Sequence, residues 1–437
     1  MIKKHSFMNI FHIATKRHWW YNGINKTNKG GLDMIKACVI GLGQRGTSLT
    51  KGVLLNNPEI QILAVCDLWE DRIEHVLGLI RAAGGDAKGF TNWKDALNVA
   101  GIDAVYVFGD WNTHAEIAVY AMEKGIAVAS EVGCEASLEN CRELVRTQEK
   151  TGTPYMFMEN CCYNRDELLA TAMARRGLLG TVVHCSGAYA HDLRKEISYG
   201  HVKRHYRFDN YLHRNCDNYP THDLGPIAKL LDINRGNRIL TVSSFASKAA
   251  GLEEYIATRE DATDEMKAAR WKQGDIVTTV ITCAGGETIL LKLDTTLPRS
   301  YDREFTVRGT KGLYTQSLNA VFLDGEKEFW EPAQFAEKYI NNAKQYEEEY
   351  LPSFWKNISP EQKEAGHGGM DWFAYKAFAD ALKSGAPMPI DVYDGAVWQA
   401  VSVLSEASIA QGGAPQSMPD FTGGKWIKRP RLDVCEM

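Results

Sequence analysis

The stretch Gly41-Leu42-Gly43-Gln44-Arg45-Gly46 constrains this chain more than any other, because of what stands on either side of it. Before it, Ile35-Lys36-Ala37-Cys38-Val39-Ile40 is a short apolar run of the kind that forms a strand buried on both faces, and a helical stretch toward Asn56 follows. In such a loop the first glycine permits a tight turn, the second lets the backbone approach a pyrophosphate, and the third lets helix and strand pack closely. The helix N-terminus then offers unpaired N–H groups to the phosphates. A second strand, 60–66, ends on Asp67, 26 residues after Gly41. A carboxylate there accepts ribose hydroxyls and repels a 2′-phosphate, so the expected cofactor is NAD rather than NADP.

The alternation continues: helix 71–83, strand 104–108, helix 115–124, strand 127–129, helix 138–150 and strand 155–158. Regular β-α-β order predicts a doubly wound parallel sheet, a Rossmann domain spanning 34–160. Beyond Asn160 the pattern changes to longer strands at 181–186, 240–247, 274–283, 288–295 and 304–307, joined by loops and few helices. Helices at 371–383 and 395–410 close the chain. Residues 161–437 are therefore expected to form an α+β domain on a mainly antiparallel, open sheet. The open sheet suggests a homodimer through this C-terminal domain.

With 437 residues, 44% apolar and 24% charged, the chain suits two globular domains. A net charge of -5 argues against a nucleic-acid partner, and no run of eighteen apolar residues predicts a membrane span. The ten cysteines show neither C-x-x-C pairs nor framework spacing, which reads as buried thiols in a reducing compartment rather than disulfides or metal ligands. In residues 1–33, Lys3-Lys4 and a short apolar run hint at a signal peptide, but Asn9 and His12 interrupt it and no cleavage site follows. This segment is read as a poorly ordered extension of a cytoplasmic protein; a truncated or atypical signal would make the protein periplasmic.

Resemblance to known families adds to this reading. Ala104-Val105-Tyr106-Val107-Phe108, Asn112-Thr113-His114 and Ser130-Glu131-Val132-Gly133 resemble the Gfo/Idh/MocA oxidoreductases. There a Glu-Lys-Pro motif carries the lysine that shuttles a proton during alcohol oxidation. Here Val132 stands in its place and cannot carry a proton. The second half, with Glu159-Asn160-Cys161-Cys162-Tyr163, His191-Asp192-Leu193-Arg194, His213-Arg214-Asn215 and Tyr219-Pro220-Thr221-His222, resembles glycoside hydrolase family 109. These are NAD-dependent α-N-acetylgalactosaminidases on the Gfo/Idh/MocA fold.

That resemblance implies hydrolysis without net redox change, an exception to the two-carboxylate mechanism. The sugar is oxidised at C3, the C2 proton is removed, the C1 substituent is eliminated, water adds, and C3 is reduced again. His222 is the candidate base, since imidazole titrates nearest neutrality and the start of a helix favours its neutral form. Tyr219, three residues earlier, is expected to converge with it as the second candidate catalytic residue. Arg207, Tyr301, Tyr163 and Tyr219 are the candidate substrate-binding side chains. Gly41, Gly43, Gln44, Arg45, Gly46, Asp67, Asn112, His114, Glu131 and Asn160 are expected around the cofactor, with Glu131 by its ribose.

Other polar clusters read as ordinary surface. His201 and His205 lack an obvious third metal ligand, Gly366-His367-Gly368-Gly369 reads as a connection, and 338–350 as a solvated helix face. A small-molecule or glycan substrate is expected, and no metal. Two other functions compete: an NAD-dependent sugar or cyclitol dehydrogenase, and a non-catalytic NAD(H)-binding protein. Val132 counts against the first. The density of His, Tyr and Arg in 191–222 counts against the second.

Overall fold

Six parallel strands carry the first half of the chain in the computed structural model, which describes residues 34–326 and 330–437; the expected extension at 1–33 lies outside them. The strands are β1 (Ile35–Ile40), β2 (Ile60–Cys66), β3 (Lys88–Phe90), β4 (Ala104–Val107), β5 (Ala127–Ser130) and β6 (Tyr155–Phe157). Their order in the sheet, β3-β2-β1-β4-β5-β6, reverses direction between β1 and β4 and so opens a crevice at the carboxyl ends of the strands, where dinucleotides bind. Burial explains the strand sequences: β4 and β5 are buried at every position, so both faces call for apolar residues.

Two elements were not anticipated, β3 and the helix Trp93–Leu97. β3 is three residues long and lies at the sheet edge, too short to print a periodic pattern. The helix expected at 115–124 begins earlier, as Trp111–Glu123, because the Asp110 side chain accepts the Asn112 N–H and caps it.

The second half builds an eight-stranded sheet. Its strands are β7 (Val182–Ala190), β8 (Ile239–Ala246), β9 (Ile276–Cys283), β10 (Thr288–Asp294), β11 (Thr306–Gly309), β12 (Gly312–Thr315), β13 (Ala320–Leu323) and β14 (Gln416–Ser417). They lie in the order β13-β12-β11-β7-β10-β9-β8-β14. The sheet is antiparallel except for β7 with β10. One face packs inward. On the other, Phe245, Val280 and Leu290 are 56%, 40% and 37% exposed.

The expectation of few helices here does not hold. Short helices Arg194–Ser198, Gly200–Lys203, Arg207–His213, Gly251–Ala257 and Asp264–Ala268 fill the long connections. None exceeds seven residues, below the length at which periodicity separates a helix from a loop. The stretch 338–350 is likewise not one helix: Pro332–Tyr339 ends there, and the 3-10 turn Asn342–Tyr346 and the helix Glu347–Tyr350 follow. His201 and His205 are largely covered rather than on the surface, beside Glu265 and Glu196 respectively.

The chain finally returns to the first domain. Helix Val392–Ala410 lies between β6 and β8; its Trp398 is fully buried, with its ring 6.1 Å from that of Phe157. The backbone N–H of Phe157 also donates to the Ile390 carbonyl. All ten cysteines are free thiols, nine of them buried. No helix among the described residues is long and apolar enough to cross a membrane.

Candidate active site

The three glycines of the first loop are required for different reasons. Gly41 has a φ of +92°, and a Cβ there would lie 2.4 Å from the Gly109 nitrogen. A Cβ on Gly46 would lie 2.0 Å from the Gly41 carbonyl oxygen. Gly43 is different. Its φ of -66° suits any residue, and the nearest atom to a Cβ would be the end of the Arg72 side chain at 3.6 Å. The protein therefore leaves an open backbone cradle at Gly43, at the start of helix Gln44–Leu49, where a pyrophosphate fits. Gln44 beside it is exposed.

Asp67 stands where the adenosine end of a dinucleotide is expected. Its carboxylate accepts the N–H groups of Leu42 (2.6 Å) and Trp69 (3.1 Å), so it is held at the tip of β2 facing the glycine loop. Asn112 lies exposed in the first turn of its helix, bonded to Asp110. His114 is buried, with its ring nitrogens 3.1 Å and 3.0 Å from the carbonyls of Glu131 and Gly109, and so ties together the loops after β4 and β5.

The residues expected around the cofactor form a charged knot. Arg45 sits between two carboxylates, with Nη1 2.7 Å and Nη2 2.8 Å from Asp371, and Nη2 3.2 Å from Glu131. Glu131 also accepts the Tyr375 hydroxyl at 2.8 Å, so its carboxylate is occupied by protein groups rather than left free toward a ribose. Asn160 donates to Asp371 at 2.8 Å. Burial raises the Asp371 carboxyl pKa, but the Arg45 guanidinium outweighs it and holds that pKa far below the usual range.

A second cluster lies across from this loop. His222 is the second residue of helix Thr221–Leu230. Its Nδ1 is 2.7 Å from Oε1 of Glu159, which is fully buried. Glu159 reaches it because Gly225 has no side chain: a Cβ there would come within 2.8 Å of the Glu159 Cγ. Burial raises the Glu159 carboxyl, and the His222 charge and hydrogen bonds more than reverse this, leaving it below its ordinary value. A carboxylate only accepts, so Nδ1–H donates to it, and in the neutral imidazole the lone pair then falls on Nε2.

Around His222 the rings pack edge to face. Tyr219 lies 4.7 Å away at 89°, and Tyr189 lies 5.4 Å away at 71°. Tyr189 and Tyr219 are 4.6 Å apart, and Trp111 of the first domain is 5.5 Å from Tyr219. The Arg207 guanidinium sits 4.8 Å over Trp111 and 4.9 Å over Tyr219, with Nε paired to Glu196 at 2.8 Å. Tyr301, 49% exposed, faces His191 at 5.2 Å, and its hydroxyl accepts from Arg303 at 3.0 Å. His222, Tyr219, Arg207 and Tyr301 are thus linked through neighbouring side chains. Tyr163 is elsewhere: it is buried in the core, its hydroxyl has no hydrogen-bond partner among the described residues, and its carbonyl accepts from Trp355.

Glu159, Tyr189 and Trp111 were not singled out from the sequence. Tyr189 is the next-to-last residue of β7, two before His191, and Trp111 follows a strand whose carboxyl end faces the crevice, so their positions near strand ends were the available signal. Glu159, Cys161 and His222 bring ligand-type atoms within 4.8 Å of one another. Burial pushes the Cys161 thiol well up, keeping it protonated.

A Rossmann crevice faced by an aromatic, histidine-bearing pocket on an open sheet defines the class: an NAD-binding oxidoreductase-type fold adapted to a small polar substrate. Residues 35–158 match the oxidoreductase family with an NAD-binding Rossmann fold, and residues 163–428 match the C-terminal domain of glycosyl hydrolase 109. The chain belongs to glycosyl hydrolase family 109, and it is a glycosidase with an NAD-binding domain. A family 109 protein of Stenotrophomonas maltophilia is 38% identical over 420 residues, which are 90% of each chain. An α-N-acetylgalactosaminidase of Tannerella forsythia is 35% identical, covering 91% of this chain and 88% of its own. Among solved structures, scyllo-inositol dehydrogenase of Lactobacillus casei with NAD(H) and scyllo-inositol shares the fold, with a TM-score of 0.62 at 13% identity over 88% of this chain and 99% of its own.

Proposed function

We propose that this glycosidase is an α-N-acetylgalactosaminidase that works by oxidation, elimination, hydration and reduction of the sugar. The Glu159–His222 pair carries the reading: a buried carboxylate fixes one imidazole nitrogen and leaves the other as a base beside the aromatic pocket. NAD, when bound, would accept the hydride from C3 and return it at the end of the cycle, while the C3 hydroxyl proton leaves to solvent on oxidation and comes back on reduction. Gly41, Gly43, Gln44, Gly46 and Asp67 would hold it, with Asn112, His114, Arg45, Glu131 and Asn160 shaping the walls of its site.

His222 Nε2 takes the C2 proton once C3 is a ketone, and the electron pair left at C2 forms the C1–C2 double bond as the C1 oxygen departs. Water then adds at C1, and C2 regains a proton from His222. Tyr219, Arg207 and Tyr301 bind hydroxyl and amide oxygens, and Tyr189 takes the place beside His222 that the Tyr163 ring does not reach. Val132, apolar and 4% exposed, replaces the lysine that dehydrogenases of the resembling family use as proton carrier. The relatives named α-N-acetylgalactosaminidase favour an α-linked N-acetylgalactosamine over other hexosamines.

The test is a panel of nitrophenyl glycosides assayed with purified protein and no added NAD. Release from the α-N-acetylgalactosaminide is expected to exceed that from the β-linked and non-acetylated substrates. Preference for another glycoside overturns the substrate assignment. The exposed apolar face at Phe245, Val280 and Leu290 supports a homodimer through the eight-stranded sheet; a monomer mass in solution would exclude it.

A further inference from the structure

The turn at 366–369, read from the sequence as an ordinary connection in preference to a loop closing over a site, reaches the dinucleotide loop. Four consecutive residues have positive φ: Gly366 (126°), His367 (44°), Gly368 (67°) and Gly369 (106°). Gly366 is further required because a Cβ there would lie 2.4 Å from Asp371 Oδ2, and Gly369 because its Cβ would meet the Ile358 side chain at 2.6 Å. The turn delivers Asp371, fully buried in the first turn of helix Met370–Ser384, onto Arg45 of the glycine loop. Its carboxylate accepts from Arg45 Nη1 and Nη2, from Asn160 at 2.8 Å and from His367 Nδ1 at 2.8 Å. Further along the helix, the Tyr375 hydroxyl holds Glu131, the second carboxylate on Arg45. Just before the turn, the Ala365 carbonyl comes so close to Gly52 that a Cβ there would stand 3.2 Å away. Charges of the turn also reach the substrate side: burial lowers the His191 pKa, Glu196 opposes this, and Arg207 and His367 lower it further.

Arg45 lies between Gly43 and Gly46, so moving the phosphate-facing loop means moving this guanidinium. Four of its five N–H groups point at carboxylates, which leaves it unable to swing as a free arm. A paired charge buried to this degree resists separation, because breaking the pair strands a carboxylate out of water.

We propose that Asp371 is a positioning residue for the cofactor: by clamping Arg45 it locks the dinucleotide loop beneath the 366–369 turn, so that NAD stays bound from one turnover to the next. This rests on the reading above, in which hydride returns to the sugar and release of the cofactor serves no purpose. A dehydrogenase that must exchange NADH would gain nothing from such a clamp.

The test loads protein with NADH, mixes it with excess NAD, and follows the loss of bound NADH fluorescence. Asp371→Asn keeps the shape and removes the charge. It is expected to release NADH at least about tenfold faster than wild type, the factor one charge-assisted hydrogen bond is worth, and to require added NAD for turnover. Tm at saturating NAD is measured alongside, so that faster release with an unchanged Tm marks positioning rather than unfolding. Should Asp371→Asn fail to fold, Tyr375→Phe, which removes one bond to Glu131, is expected to give a smaller acceleration. Wild-type release rates in whichever of these variants folds overturn the proposal. Loss of NAD from the wild-type protein on dialysis overturns the resident-cofactor reading itself, and it is seen before any substitution is made.

Discussion

Glu159 and His222 are 63 residues apart in the chain and 2.7 Å apart in the fold, and the carboxylate determines which imidazole nitrogen can act as a base. The pair forms because Gly225 clears a path and because the strand end at 157 and the helix start at 221 meet at the crevice.

His222→Ala is expected to lower turnover by about 10²–10⁴-fold, the usual loss for a general base, while leaving bound NAD in place. Glu159→Gln keeps size but can present an amide N–H to Nδ1, which favours the tautomer with the proton on Nε2. We expect kcat to fall with little change in KM. Near wild-type rates in a folded His222→Ala protein would remove this residue from the mechanism.

Hydrolysis in D2O separates the proposed chemistry from displacement at C1. Removal and return of the C2 proton by an imidazole that exchanges its own proton with solvent should place deuterium at C2 of the released sugar, read by NMR or mass spectrometry. A displacement mechanism never breaks that bond. Product with no deuterium at C2 would refute the elimination route, whatever the substrate.

The glycine loop offers an internal control. Gly46→Ala would place a methyl 2.0 Å from the Gly41 carbonyl, so loss of stability is expected whether or not NAD is present. Gly43→Ala meets no protein atom within 3.6 Å and should fold normally, yet lose cofactor because the methyl fills the pyrophosphate cradle. Thermal unfolding with and without NAD distinguishes them. An undiminished NAD-induced rise in Tm for Gly43→Ala would show that the cradle is not used.

Asp217 and Asp223 form a buried carboxyl pair whose pKa values are raised, in Asp217 chiefly by burial and in Asp223 by burial and the charge of Asp217. A carboxyl with a raised folded pKa binds its proton more tightly folded than unfolded. Its contribution is full below the unfolded value and is lost as pH rises through the folded one. Asp217→Asn, which is neutral throughout, should therefore match wild type near pH 4 and have the higher Tm at pH 8. A Tm difference that does not grow with pH would exclude this pair as the origin.

Apart from β3 and the helix Trp93–Leu97, the order of strands and helices to residue 158 was legible in the sequence, as were the glycine loop and Asp67, because each depends on local geometry. A tight turn needs glycine, a doubly covered strand needs an apolar run, and a ribose carboxylate falls at the end of the next strand. His222 and Tyr219 were legible because only three positions separate them at the start of a helix. What the sequence could not disclose was contact across long separations: Glu159 with His222, Asp371 with Arg45 across 326 residues, and Tyr189 with Trp111 on either side of Tyr219. Nor could it show that Glu131 faces Arg45, or that the Tyr163 ring turns into the core. Periodicity reports which face of an element is buried, but not which distant side chain lies against it. That depends on where the two sheets and the returning C-terminal helices come to rest, and packing over the whole chain sets it.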